Sequence, residues 1–429
     1  MPGFESLTAL LAAAEAAAPV DAVTAVTREV GLRLRATAVS LLVADTSGRA
    51  LVRLTHVPLA PVGGAAPAEV PGSGLRTEGD ESARKVPFDG GPMEQVVRTQ
   101  RLVVVPPDGS ERWTVLAPVT ERGDVIGLLE LQLADEPDEA VTTEIASVAH
   151  VLAYVVIANR RHTDLFEWGQ RSRPMTLSAE IQQRLLPGPR TCEAGAFTLA
   201  GWLEPAAEIA GDTFDYSLAR DVLHLSMTDA MGHGVAAALT ATLCVGDLRG
   251  SRRRGASLTQ QAASANAAIL EHSARLDADD FVTGLVGRLD LPTGAMHLVN
   301  AGHVAPYVAR GEEVHALDLP VNLPFGMFSD TVYESATVHL EPGDRIVLVT
   351  DGMLERGAEA IDLPGAIRRA AALHPREAAA ALADNVLAAT GHALSDDATV
   401  LCLDWYGGHG RERSTGSGSD ASLASGPLR

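Results

Sequence analysis

Four aspartates stand where carboxylates are costly to keep. Asp212 lies in Ala210-Gly211-Asp212-Thr213-Phe214-Asp215, Asp229 in Thr228-Asp229-Ala230-Met231-Gly232-His233-Gly234, Asp351 in Thr350-Asp351-Gly352, and Asp396 in Ser395-Asp396-Asp397-Ala398-Thr399. Apolar runs of β type abut the last three: residues 222–227 and 345–349 lead into their carboxylates, and 400–403 follows. A carboxylate at a strand end in so apolar a sheet needs a cation to offset its desolvation. Several hard oxygens converging from different strands suit Mg²⁺ or Mn²⁺ rather than zinc. The chemistry this points to is metal-assisted hydrolysis. The competing reading for Asp229 is a turn carboxylate that caps the following helix, for Asp212 and Asp351 a turn carboxylate, and for Asp396 that Asp397 is the ligand in its place.

Composition sets the bounds. The chain has 429 residues, long enough for two or three domains, and 46% are apolar, ample for sizeable cores. Aromatics are only 4%, so those cores must be built from Ala, Val and Leu. A formal charge of -21 argues against nucleic acid as the main partner. It also means that an anionic phosphoryl substrate needs a local positive centre, which bound metal provides. Cys192, Cys244 and Cys402 have no CxxC spacing and small or apolar neighbours, so reduced, buried thiols and a cytoplasmic setting are expected. Residues 1–19 lack a basic segment and contain Glu5 and Glu15, unlike a secretory signal. The apolar stretch 146–158 is interrupted by His150 and is too short to span a bilayer.

The elements that must position these residues fall into two patterns. Residues 6–35 read as helix broken at Pro19-Val20-Asp21, and 38–44 with 50–56 as a hairpin. A Pro- and Gly-rich loop is expected over 57–92, then a short helix at 93–99, a strand at 102–105 and a second hairpin, 113–118 with 125–133. This layout resembles a GAF domain, a small sensor module, over roughly residues 6–160. Residues 138–187 read as mostly helical. Ile145, Val148, Leu152 and Val155 continue in register to Asn159, His162 and Phe166, the spacing of a parallel coiled-coil dimer, or of an amphipathic helix capping the sheet.

From residue 197 strands dominate: 197–203, 214–218, 222–227, 281–290, 295–299, 307–309, 337–340, 345–349 and 400–403. Helices are expected between them at 234–248, 258–276, 363–373 and 375–389. Two sheets sandwiched by helices follow from that alternation. The domains expected are a GAF-like α/β sensor at 1–160, a helical linker at 161–190, a catalytic α+β domain at 191–406 and a Gly/Ser-rich disordered tail at 407–429.

Residues 177–404 resemble the metal-dependent protein phosphatases of the PPM type, in the branch of sporulation stage II protein E, which includes phosphatases controlling stress sigma factors. The stretches that carry the resemblance run in the family's order. They are Ile181-Gln182-Gln183-Arg184-Leu185-Leu186-Pro187, the Gly211-Asp212 and Asp229-to-Gly234 segments, Asn300-Ala301-Gly302-His303, Pro342-Gly343-Asp344 leading to Thr350-Asp351-Gly352, and Asp396-Asp397-Ala398-Thr399. The resemblance implies an αββα sandwich with two Mn²⁺ or Mg²⁺ ions at one end. It makes Asp229 the bridging ligand, Ala230 a ligand through its carbonyl, and Asp212, Asp351 and Asp396 further ligands. Ala210 replaces a commoner glycine, and Asp397 stands where Asn is frequent.

The implied activity is a phosphoserine/phosphothreonine phosphatase acting on an anti-sigma-factor antagonist, gated by the sensor, in a homodimer. Rival readings are a silent phosphoprotein-binding regulator and a hydrolase of small phosphate monoesters. Several roles stay open. Asp215 is a ligand or a hydrogen-bonding support, His233 orients water or phosphate or is a polar turn residue, and His303 fixes a turn or contacts metal or phosphate. Arg249, Arg252, Arg253 and Arg254 either dock an acidic partner or form a solvated helix end. No cyclic-nucleotide signature is present in the sensor half, and a small-molecule ligand there stays unnamed.

Overall fold

The computed structural model describes residues 2–59, 75–78, 81–109, 111–172, 174–206, 211–354, 362–391 and 394–407. Two compact units divide between Pro174 and Met175. The N-terminal unit contains α1 (Pro2–Ala16), α2 (Ala22–Arg33), β1 (Ala38–Ala44), β2 (Ala50–Pro58), β3 (Leu75–Glu78), β4 (Glu81–Pro87), α3 (Pro92–Thr99), β5 (Val103–Val105), β6 (Trp113–Glu121), β7 (Asp124–Leu133), α4 (Glu139–Asn159) and α5 (Leu165–Gln170). Its strands form one antiparallel sheet in the order β3-β4-β2-β1-β7-β6-β5. Side chains alternate across it. Val39, Leu41, Leu129 and Leu131 meet α1, α2 and α4 on one face, while Leu42, Leu51 and Leu128 meet Val96 and Val97 of α3 on the other.

Three sequence expectations change here. The span 57–92, expected as loop, holds the β3–β4 pair among its described residues. The helical seam stops at Asn159, whose amide donates to the Val155 carbonyl of its own helix rather than across a dimer. Ile145, Val148, Leu152, Val155 and Phe166 are all buried in this unit's own core, so the apolar stripe caps the sheet and a coiled coil has no seam to use. α4 is also longer than the 146–158 stretch. Among the described helices it alone has the length and composition to cross a membrane, but 39% of that apolar window is buried in the unit's own fold.

The C-terminal unit runs through α6 (Leu177–Leu185), β8 (Thr191–Glu193), β9 (Phe197–Glu204), β10 (Asp212–Leu218), β11 (Val222–Ala230), α7 (Gly234–Arg253), α8 (Leu258–Leu276), β12 (Val282–Asp290), β13 (Ala295–Ala301), β14 (Tyr307–Arg310), β15 (Glu313–Ala316), β16 (Val321–Asn322), β17 (Ala336–His339) and β18 (Arg345–Val349). A 3₁₀ turn (Asp351–Met353), α9 (Leu363–Arg369), α10 (Pro375–Ala389) and β19 (Ala398–Trp405) complete it. One sheet has the order β10-β11-β12-β13-β16 with β17 also on β13, and the other β15-β14-β18-β19-β9-β8.

Period-two alternation builds the layers. Phe214, Leu225, Met227, Leu285, Leu348, Leu401 and Leu403 fill the space between the sheets. The alternate residues face outward: Val282, Val286 and Val299 meet α7 and α8, whereas Val347, Val349, Val400 and Cys402 meet α9 and α10. The result is helices, sheet, sheet, helices. Gly201 is required inside it, because a Cβ there would lie 2.4 Å from the Phe214 ring. α9 ends at Arg369, earlier than the 363–373 span expected. All three cysteines are buried, and none of them is in a disulfide. Of the tail expected from 407, only Gly407 lies within the described residues.

Candidate metal centre

The same alternation aims the carboxylates. On β10 the inward row runs from Phe214 back to Asp212; on β11 it runs Leu223, Leu225, Met227, Asp229. These two rows meet, since Asp212 pairs with Asp229 in the strand register. On the opposite sheet the inward row of β18, Ile346 and Leu348, continues to Thr350, and that of β19 passes from Leu403 and Leu401 to Thr399 and then Asp397. Four apolar rows thus turn polar at one end of the sandwich.

Hydrogen bonds close that end across the two sheets. Thr350 and Thr399 each donate a hydroxyl to Asp212 Oδ2 at 2.6 Å. The Thr399 amide donates to Thr350 Oγ1 at 3.0 Å, fixing that hydroxyl's direction. Asp212 is 2% exposed, and its Oδ1 accepts no hydrogen bond from any described residue. Burial first, then the charges of Asp229 and Asp397, push its carboxyl well above the usual range, while the two threonine bonds oppose the shift. A buried carboxylate facing like charges is relieved either by protons or by a cation.

Asp397 has a different task. Its Oδ2 accepts from Gln182 Nε2 at 2.6 Å and its Oδ1 from the Ala206 amide at 2.8 Å. Gln182 also donates to the Asp212 carbonyl, so α6 is tied to both halves of the site. Burial raises the Asp397 carboxyl to about 6 despite these donors. With both oxygens occupied it anchors the turn that displays Asp396, which is half-buried. Asp351 is exposed on its 3₁₀ turn. Gly352 brings that turn against the 396–397 backbone; a Cβ there would lie 2.0 Å from the Asp397 carbonyl oxygen. Gly211 allows a similar approach, with its would-be Cβ 2.5 Å from the Ala230 carbonyl oxygen.

The remaining candidates separate. Asp215 sits on the outward row and accepts from Arg249 and Arg252 of α7, while Arg249 Nη2 also donates to the Leu185 carbonyl. It supports packing, and these two arginines are neither a free docking patch nor a solvated helix end. Arg253 and Arg254 are exposed. His233 precedes α7, exposed and without a side-chain cap bond, between Gly232 and Gly234 at φ +97° and +71°. His303 is buried; its Nδ1 meets Thr283 Oγ1 at 2.8 Å, and Thr283 pairs with Asp229 across β11 and β12. Asn300 ties both backbone groups of His303, which fixes the turn. Burial lowers this imidazole to about 4, and its Nε2 has no hydrogen-bond partner among the described residues.

Among the described residues, no three acidic, imidazole or thiolate groups form a ready metal cage. The donor set fits Mg²⁺ or Mn²⁺ nonetheless, because Mg²⁺ keeps several waters and binds through one or two carboxylates. Asp212 has Oδ2 fixed by two threonines and an Oδ1 that accepts no hydrogen bond from any described residue, an arrangement that suits such an ion. Thr350, Thr399 and Gln182 were not singled out as functional from the sequence. The inward parity of residues 348, 350, 399 and 401 is the signal that could have found the two threonines.

Residues 219–406 match the family described as Stage II sporulation protein E (SpoIIE). That match includes Asp229, Asp351 and Asp396, and begins after Asp212. Over 233 residues the chain is 24% identical to the phosphoserine phosphatase RsbU of Bacillus subtilis (strain 168), covering 53% of this chain and 68% of RsbU. Among solved structures, it is similar to the RsbU and RsbW domains of a Mycobacterium tuberculosis protein (23% identity, TM-score 0.43, 52% of this chain and 64% of that one). It is also similar to the PP2C phosphatase domain with a regulatory fragment of SpoIIE from Bacillus subtilis (21%, TM-score 0.43, 50% and 66%). The SiaA PP2C domain of Pseudomonas aeruginosa aligns at 21% identity and TM-score 0.45, over 53% of this chain and 94% of that one. The chain therefore spans slightly under two thirds of the first two solved chains.

Proposed function

We propose that the C-terminal unit is a divalent-metal-dependent protein serine/threonine phosphatase that acts in sigma-factor regulation. The observation that carries this reading is Asp212, buried opposite Asp229 and held through one oxygen by threonines of the other sheet. The SpoIIE match over 219–406 and the likeness to a phosphoserine phosphatase support it. Two Mn²⁺ or Mg²⁺ ions are assigned to Asp212, Asp229, Asp351, Asp396 and the Ala230 carbonyl. When bound, such ions supply positive charge for the phosphoryl oxygens and lower the pKa of a water nucleophile. The chain's own contribution is placement. Thr350 and Thr399 orient Asp212, Asp397 with Gln182 and Ala206 holds the turn bearing Asp396, and Gly352 lets the Asp351 turn close on it.

By family resemblance the substrate is a phosphorylated anti-sigma-factor antagonist. The N-terminal unit, whose sheet carries helices on both faces, is proposed as the GAF-like sensor at 1–160, joined through a linker at 161–190 to the catalytic domain at 191–406, in a cytoplasmic protein. Hydrolysis of p-nitrophenyl phosphate by the full chain, with Mn²⁺, Mg²⁺ or EDTA, tests the chemistry. Metal-dependent turnover that disappears in Asp229→Ala is the expected result. Full activity in that variant would remove the two-metal reading. Turnover of small esters with no activity on phosphoproteins would move the assignment to a metabolite hydrolase.

A further inference from the structure

A second feature lies on the outer, helix-bearing face of the β10-to-β17 sheet. At the start of β11 and the end of β12, a cleft of about 610 Å³ opens between the end of α7 and the first turn of α8. His224, Arg252, Arg288 and His297 line it together with apolar and hydroxyl groups such as Val222 and Ser257. None of its lining side chains is acidic, in a chain with 55 acidic against 34 basic residues. It is remote from the proposed metal carboxylates: His224 is five strand steps along β11 from Asp229, roughly 17 Å at strand rise, and the two side chains face opposite sides of the sheet.

The charge in this cleft is only partly neutralised. Asp215 receives both Arg249 and Arg252, which leaves one positive charge over. Arg288 forms no hydrogen bond or ion pair with any described residue; it acts at longer range on Asp290, two positions along β12, which is itself bonded to Thr293. His224 carries a second unmet need, since its buried Nδ1 has no partner among the described residues. Burial and the Arg252 and Arg288 charges hold that imidazole below its ordinary range, so near pH 7 it is a neutral ring. A neutral imidazole can donate from one nitrogen to an anion. His297 is held at Nδ1 by Thr337 Oγ1, 2.8 Å away, leaving its other edge for the cleft.

A compact anion with several acceptor oxygens suits a cleft lined by the Arg252 and Arg288 guanidiniums with His297 beside them. Guanidiniums match phosphate oxygens in a planar fork, and the volume leaves room for an organic substituent against the apolar wall. We propose that this cleft is a second anion site, which binds a small phosphate-bearing molecule independently of the metal centre. Such a site would let phosphate product or a phosphorylated metabolite engage the catalytic unit without competing at its carboxylates.

The test is titration calorimetry on the full chain in EDTA, where the carboxylate end repels anions. Inorganic phosphate and AMP are the probes. Saturable binding of one equivalent is expected in the wild type and in Asp229→Ala. It should weaken about tenfold or more in Arg288→Ala, consistent with the loss of a charge-assisted hydrogen bond. Arg288→Lys should restore part of the affinity, since it returns the charge without the planar fork, which separates loss of a charge contact from damage to the fold. Tighter binding of AMP than of phosphate identifies an organic phosphate as the ligand, and equal binding identifies phosphate itself. The proposal is overturned if the wild type binds neither probe, if Arg288→Ala binds as the wild type does, or if Asp229→Ala abolishes binding.

Discussion

Asp212 shows how much of a ligand's behaviour is decided by neighbours that carry no charge. Its two threonine partners come from β18 and β19 of the opposite sheet, so the carboxylate is fixed only when both sheets are in place. Thr350→Val keeps the shape and removes one donor. Metal-dependent turnover should fall about 10–100-fold, as when other partners that orient metal ligands are lost, with a higher Mn²⁺ requirement in an activation titration. Protons compete at the proposed ligand Asp212 and at the neighbouring Asp397, which anchors the Asp396 turn. In the metal-free protein Asp212 is shifted upward and Asp397 to about 6, against an ordinary 3.8. A raised acidic pKa favours the folded state at low pH, and that contribution disappears as pH rises through about 6. Bound metal needs the deprotonated groups. The gain in melting temperature on adding Mn²⁺ should therefore grow from pH 5 to pH 7.5, and a gain that shrinks over that range would contradict carboxylate ligation. The aspartates were legible because a charge ending an apolar run is conspicuous. The threonines were not, since a Thr in a strand is ordinary until the facing rows are known.

At the scale of elements, the site depends on backbones meeting closely. β18 and its 3₁₀ turn approach the start of β19 so tightly that only a residue without Cβ fits at 352. Gly352→Ala must push the Asp351 turn away from Asp396 and Asp397. Overpacking of this kind costs about 1–3 kcal/mol, but the loss of activity should exceed the loss of stability, because two proposed ligands move apart. Melting temperature and p-nitrophenyl phosphate turnover, measured on the same preparation, distinguish this from simple unfolding. Strongly periodic elements were readable from the chain: α8, α10 and β18 match their expected spans to the residue. The strands β8, β15 and β16, of two to four residues, were not, for they carry too few residues to show alternation. Of the two readings of the 145–166 stripe, the helix capping the sheet is the one seen, and spacing alone could not separate it from a coiled coil. A stripe at 3–4 spacing is what a helix needs against any apolar surface, and here the surface is its own sheet.

For the whole molecule, the decisive fact is that each of the two units, among the described residues, has apolar cores of its own. The N-terminal unit has its own two clusters, on either face of its sheet, and the C-terminal unit has three, one between the sheets and one under each helical layer. Units with separate cores unfold as separate cooperative blocks unless an extensive shared surface couples them. Scanning calorimetry of the full chain should then resolve two transitions. The proposed Mn²⁺ ligands all lie in the C-terminal unit, so only that unit's transition should move. At a metal concentration about 100-fold above Kd the stabilisation is about 2.7 kcal/mol, or roughly 5–10 °C for a unit of this size. Asp229→Ala should abolish this shift and leave the N-terminal transition where it was. If Mn²⁺ instead moved both transitions together, the units would be energetically coupled, and the metal centre would sense the state of the N-terminal unit directly. A coupled result would therefore locate regulation in the equilibrium itself, whereas independent transitions would require a bound ligand or partner to connect the two blocks.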